Sequence, residues 1–187
     1  MPLHSYMVLT AFIFLLAVLI LQYIRIKSSP AKFLGTPSAE KLYFYTGKVA
    51  LFTTWILFII KAINPGVGYI FPPDSFSWTA VGFLYTGCFI STFALINLGK
   101  SLVVGLPGME TKLQTNGIYR LRRNPLYVGT HLISIGSCIY FPDLINVTFM
   151  IYGIYIHHRI VKNEEAFLSA RFGNEWVTYV SKVRRYI

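Results

Sequence analysis

Five stretches of this chain are apolar for the length of a helix, and the polar residues gather between and after them. Met7 to Ile24, Tyr45 to Ile63 and Trp78 to Leu98 come close to the roughly 20 residues that a membrane-spanning helix needs. Leu126 to Phe141 and Leu144 to Ile160 are shorter. None alternates with period two, and all exceed the usual length of a strand, so each predicts an α-helix. Pro142-Asp143 alone separates the last two, which predicts a tight helical hairpin. Beyond the fifth run, Gly173 is placed to end the helix and Asn174 to cap another. In that last helix Trp176, Tyr179, Val180 and Val183 share an apolar face, which predicts an interfacial helix on a membrane surface.

Composition turns these helices into membrane spans. Apolar residues make up 55% and charged residues 13% of the 187, with a mean hydropathy of +0.55. A soluble domain carries about 25% charged residues. A soluble globular enzyme, a disordered tail and a disulfide-stapled module are thereby excluded. The expected fold class is all-α: a polytopic membrane protein of one domain, with five transmembrane helices and a C-terminal interfacial helix. The first run is too long, and too poorly preceded by basic residues, to read as a cleaved signal. Cys88 and Cys138 both lie inside apolar runs, where buried thiols are expected rather than a disulfide.

The charges then orient the spans. Arg25, Lys27, Lys32, Lys41 and Lys48 flank the first loop. Lys100, Lys112, Arg120, Arg122 and Arg123 occupy the third, and Arg159, Lys162, Arg171, Lys182, Arg184 and Arg185 follow the last span. The second loop and the Pro142-Asp143 turn hold no basic residue, so of the 17 basic residues Lys61 alone falls on the other side. By the positive-inside rule the basic side is cytoplasmic and the N-terminus outside. The net charge of +10 thus points to topology and anionic lipid, not to nucleic acid. No internal repeat suggests a transporter, and no row of intramembrane charge suggests a channel.

Polar chemistry concentrates in two blocks. The first runs from Lys112 and Leu113 through Asn116, Gly117, Ile118, Tyr119, Arg120 and Arg123 to Asn124, Pro125, Tyr127 and Gly129. Asn124 suits a helix N-cap and Pro125 a first turn. Topology alone accounts for the arginines, but it requires no glycines, tyrosines or Asn-Pro at fixed places. The second block is His157, His158, Arg159, Lys162, Glu164 and Glu165, then Phe172, Gly173, Glu175 and Trp176. The hairpin brings the start of the fourth span and the end of the fifth to one edge, so Asn124, Tyr127 and the glutamates are expected to share a pocket. Alone, the glutamates would read as a solvated helix end paired with Lys162 or Arg171. Neighbouring helical residues face different ways, so His157-His158 is no chelating pair and no metal site is expected. His131, six residues into the fourth span, either hydrogen-bonds within the bundle or reaches a substrate, and the bundle contact is the plainer of the two readings. Gly105-Leu106-Pro107-Gly108 lacks the spacing of a dinucleotide loop.

Together the two blocks resemble the isoprenylcysteine carboxyl methyltransferases, and most nearly their compact prokaryotic members. The family pattern is Gly-x-Tyr-x-x-x-Arg-His-Pro-x-Tyr-x-Gly, then Glu-Glu and Phe-Gly-x-Glu after a helical hairpin. Gly117, Tyr119, Arg123, Pro125, Tyr127 and Gly129 match the first part, and Glu164, Glu165, Phe172, Gly173 and Glu175 the second. Asn124 stands where many members have His. It keeps the hydrogen bonding but cannot titrate near neutral pH, which speaks against a mechanism with a base at this position.

The resemblance implies S-adenosylmethionine as methyl donor and a lipid-linked or prenylated carboxylate as acceptor. It divides the chain into a three-span scaffold, residues 1–98, and a cofactor-binding catalytic half, residues 99–187. It implies that Lys112, Leu113, Asn116, Gly117, Ile118, Tyr119, Asn124, Gly129 and Glu164 line the donor site, with Tyr127 and Glu165 beside them. Glu164 would bind the donor, while Arg159 or Arg123 would hold an acidic acceptor. A monomer in contact with anionic lipid is expected. Three other readings stay open: a phospholipid or amine N-methyltransferase, a sterol-reductase-like enzyme using NADPH, and a non-enzymatic lipid-binding protein.

Overall fold

The computed structural model describes residues 1–26, 37, 40–99 and 112–186. Lys27, Lys32, Lys100 and the Gly105–Gly108 stretch fall outside them. The described elements are helical: α1 (Leu3–Ile26), α2 (Lys41–Ile63), α3 (Asp74–Leu98), a 3-10 turn (Gly117–Arg120), α4 (Pro125–Tyr140), α5 (Leu144–Phe172) and α6 (Asn174–Lys182). Four of the expected apolar runs fall within one of them, the fourth run overshoots α4 by Phe141, which is its C-cap, and the helix of the fifth continues to Phe172. Among the described residues, α1, α2 and α3 are long and apolar enough to cross a bilayer. The 16 residues of α4 reach about 24 Å at the helical rise, short of the roughly 30 Å hydrocarbon core.

The break between α4 and α5 follows the sequence. Asp143 Oδ1 accepts from the Ile145 N–H at 2.9 Å, an N-cap that starts α5. Yet the two helices are not each other's main partners. α4 packs chiefly on α3, and α5 chiefly on α2. Glycines set both contacts: a Cβ on Gly87 would lie 2.6 Å from the Gly129 carbonyl, and one on Gly153 would lie 2.6 Å from Leu51 Cδ2. A buried polar knot joins the layers. Thr54 donates to Ser134 (2.9 Å), Ser137 to the Thr54 carbonyl (2.6 Å), and Asn146 to the Phe141 carbonyl (2.9 Å). In an apolar bundle such bonds leave few polar groups exposed to hydrocarbon.

The ends of the bundle differ. At one, His4 and Ser5 bond to the Tyr140 hydroxyl at 2.7 and 2.9 Å, and Lys61 lies over Phe71 and donates to the Val67 carbonyl. At the other, the arginines and glutamates meet.

Two expectations change here. Gly173, with φ of +49°, both ends α5 and precedes α6. Asn174 is therefore the first residue of α6 and not its cap. The apolar face of α6 is also not presented to lipid. Trp176, Tyr179, Val180 and Val183 pack on Leu113, Leu168 and Phe172. Amphipathicity showed that a face is buried, but the end of α5 and the Leu113 segment bury it. Of the α6 apolar residues, Val177 stays exposed.

Candidate functional site

Glu164 and Glu165 are adjacent on α5, so they face directions about 100° apart. Each meets a different part of the first block. The hydroxyl of Tyr127, in the first turn of α4, donates to Glu164 Oε1 at 3.0 Å. Glu165, 8% exposed, is tied on both oxygens. Its Oε1 accepts from Arg123 Nε at 3.2 Å and from Asn124 Nδ2 at 3.0 Å. Its Oε2 accepts from Arg185 Nε at 2.9 Å and Nη2 at 2.7 Å. The groups that hold it come from the first block and the C-terminal stretch, not from the solvated helix end that the glutamates alone would suggest.

The chain's C-terminal stretch lies beside the first block. Arg122 and Arg184 form a parallel bridge, the Arg123 N–H donates to the Arg184 carbonyl (3.0 Å), and the Asn124 N–H to the Arg185 carbonyl (3.3 Å). Three segments thus close on one carboxylate. Arg185 is held protonated above its ordinary range by its hydrogen bonds to Glu165. Asn124 makes no side-chain cap for α4; its amide is spent on Glu165.

The 3-10 turn approaches from the other side. Gly117 sits at φ +62° with Asn97 of α3 against it, where a side chain would be both strained and blocked. Asn97 Oδ1 accepts the Ile118 N–H at 2.8 Å. The Tyr119 carbonyl accepts the Tyr179 hydroxyl at 2.6 Å. Burial pushes the Tyr119 phenol well above its usual value, with Tyr179 and the Glu164 charge adding to it. Burial also pushes Tyr179 and Tyr186 up to about 12, so both stay protonated donors at neutral pH. A cleft of about 600 Å³, lined by Thr115, Asn116, Arg120, Glu175, Tyr179 and Lys182, opens between this turn and α6.

The structure brings Asn116, Gly117, Ile118, Tyr119, Arg123, Asn124, Tyr127, Glu164 and Glu165 to one end of the bundle. It distributes the other candidates differently. Gly129 is buried in the α3–α4 contact, against Ser91 and Gly87. Leu113 belongs to the apolar patch under α6, and Lys112 is exposed. Arg159 is exposed and donates to Tyr155 on its own helix at 3.3 Å. Arg123 is occupied by Glu165 and stacks on Trp176, 5.8 Å from the ring centre. Asn97 is a site neighbour that the motifs do not include, and Arg185, which reads from the sequence as a topology and lipid-facing charge, is a clamp on Glu165. For Asn97 the available signal was a carboxamide near the end of an otherwise apolar helix.

An all-helical membrane protein with a paired-carboxylate site clamped at one end of its bundle is the class that this fold and site define. A family model for phospholipid methyltransferases matches residues 76–175, more than half of the 187, and the chain belongs to that family. The match runs through both blocks. The chain is also similar to the protein-S-isoprenylcysteine O-methyltransferase of Schizosaccharomyces pombe, 27% identical over 122 residues, 63% of this chain and 50% of that one. It spans about half the length of that relative. Both findings support the resemblance drawn from the two blocks.

Proposed function

We propose that this chain transfers a methyl group from S-adenosylmethionine to the carboxylate of a lipid-linked small-molecule or prenylated acceptor. The observation that carries the reading is the meeting of the two blocks on the Glu164–Glu165 pair, with Tyr127 and Tyr119 around Glu164. The donor set fits such a cofactor. Glu164 suits an ammonium or a ribose diol, and the tyrosine ring faces suit a sulfonium; the cleft beside Asn116 is of ligand size, though its lining does not include Glu164, Tyr119 or Tyr127. The donor, when bound, supplies an electrophilic methyl on a positively charged sulfur. The residues bind and orient: Tyr127 fixes Glu164, while Arg123, Asn124 and Arg185 fix Glu165 and hence the α5 turn that carries both. A carboxylic acid with a pKa near ~4 is ionised at neutral pH, so no base is needed. The site has only to align acceptor oxygen, methyl carbon and sulfur, and exclude water.

In this reading α4 and α5 also cross the membrane. The N-terminus is outside, and the site and C-terminus are cytoplasmic, beside the exposed Arg120, Lys182 and Arg184, which meet anionic lipid. One copy of the chain forms the site, with residues 1–98 as scaffold and 99–187 as the catalytic half. The family match favours methyl transfer over nicotinamide-dependent reduction. The family's description as phospholipid methyltransferases favours a second reading, with an amine acceptor.

Transfer of labelled methyl to a panel holding a farnesylated cysteine analogue and a phospholipid amine separates the two. Labelling of the cysteine analogue is expected, at a rate that is flat over roughly pH 6 to 9, because no acceptor proton has to leave. An amine must be deprotonated first, so labelling of the amine alone, rising with pH, would overturn the carboxylate assignment.

A further inference from the structure

His131 follows Tyr127 by four residues on α4, which puts it on the same face, about 6 Å further along the axis. That direction leads from the carboxylate pair into the bundle. Its ring pairs with those of Tyr127 (6.4 Å) and His157 (6.1 Å, 76° between planes). Its Nε2 is buried, and among the described residues no donor or acceptor lies within hydrogen-bonding distance of it. The other three of the four histidines are bonded: His4 to the Tyr140 hydroxyl, His157 to the Gly153 carbonyl and His158 to the Tyr186 hydroxyl. Gln22 Oε1, Ser91 Oγ and Thr92 Oγ1 are also buried without partners, but the histidine belongs to a ring cluster with Tyr127, the residue that holds Glu164. A buried polar nitrogen without a partner costs stability, whereas a phenylalanine of similar volume would not incur that cost. The fold alone gives no reason for an imidazole here; a ligand that arrives from the bilayer does.

We propose that His131 Nε2–H binds the head group of the lipid-linked acceptor, donating to one carboxylate oxygen while the other takes the methyl. The inference rests on the methyl-transfer reading and adds the acceptor contact to it. The attacking oxygen forms a bond to the methyl carbon as the carbon–sulfur bond breaks. That electron pair goes to sulfur, which becomes a neutral thioether. His131 keeps its proton throughout, and its contact passes to the ester carbonyl.

The test uses the full chain in detergent, with His131→Phe and His131→Gln, a farnesylated cysteine analogue as acceptor and S-adenosylhomocysteine as donor-site probe. His131→Phe is expected to raise the acceptor KM about tenfold or more, the loss of one hydrogen bond to a charged group. Affinity for S-adenosylhomocysteine should hold, and Tm should stay level or rise by about 2–4 °C. His131→Gln, which keeps a donor, should recover part of the acceptor KM. An unchanged acceptor KM in His131→Phe would overturn the inference. So would a fall in Tm or a parallel loss of donor-site affinity, since either makes the histidine structural. A wild-type chain that binds no S-adenosylhomocysteine would instead remove the methyl-transfer reading itself, and this contact with it.

Discussion

Replacing Glu165 with alanine is expected to destabilise the folded chain by about 3–5 kcal/mol, the range for removing one partner of a buried ion pair. The Arg123 side chain is 9% exposed and that of Glu165 10%, so the arginine left behind has little water to turn to. Arg185, at 34%, has more. The loss extends beyond one pair, because the same carboxylate also takes Asn124 and so joins α4, α5 and the C-terminal stretch. Thermal unfolding in detergent, followed by tryptophan fluorescence, measures it, since Trp176 lies against Arg123. The triple change Glu165→Leu, Arg123→Met, Arg185→Met removes charge and countercharge together and should cost less than the single alanine. A single-alanine cost of about 0–1 kcal/mol, as for an exposed pair, would show that the cluster does not clamp the three segments together.

Gly129→Val should lower stability and activity together. A Cβ at this position would stand 2.7 Å from the Gly87 carbonyl, with the Ser91 hydroxyl closer still, so the backbones of α3 and α4 must part. Overpacking of this kind costs typically about 1–3 kcal/mol. Parting also moves Tyr127, two residues away, relative to Glu164. Gly129→Ala should show a smaller effect of the same kind. The useful comparison is between Tm and donor-site affinity. A packing glycine loses the two in proportion. A valine variant with unaltered Tm and no binding of S-adenosylhomocysteine would return Gly129 to the donor site.

That glycine illustrates what the sequence carries and what it does not. The apolar runs carried the helices, because a residue's hydropathy is its own property, and Asp143 and Gly173 marked helix ends by their own chemistry. The convergence of Asn124, Tyr127 and the glutamates also followed from the chain, since a two-residue turn leaves the far ends of α4 and α5 at one edge. What spacing could not supply was the identity of partners. Asn124 has the chemistry of a cap, and nothing in its neighbourhood along the chain says that Glu165 will take its amide. The face of α6 was legible as buried, but Leu168, Phe172 and Leu113 as its cover were not. Arg159 lies five residues before Glu164, and only the helix phase, set by packing on α2, turns it outward to Tyr155. The bonds from Arg123 and Asn124 to the Arg184 and Arg185 carbonyls join residues some sixty apart, a pairing that no local pattern announces.

The most direct test of a donor site built on Glu164 is calorimetric titration of wild-type and Glu164→Ala chains with S-adenosylhomocysteine, each checked for Tm. Saturable binding to wild type is expected, weakened about 10–100-fold in the variant by loss of a charged hydrogen-bonding group, with a modest fall in Tm because the Tyr127 hydroxyl loses its acceptor. A Glu164→Ala chain that binds the ligand and transfers methyl as wild type does would contradict it.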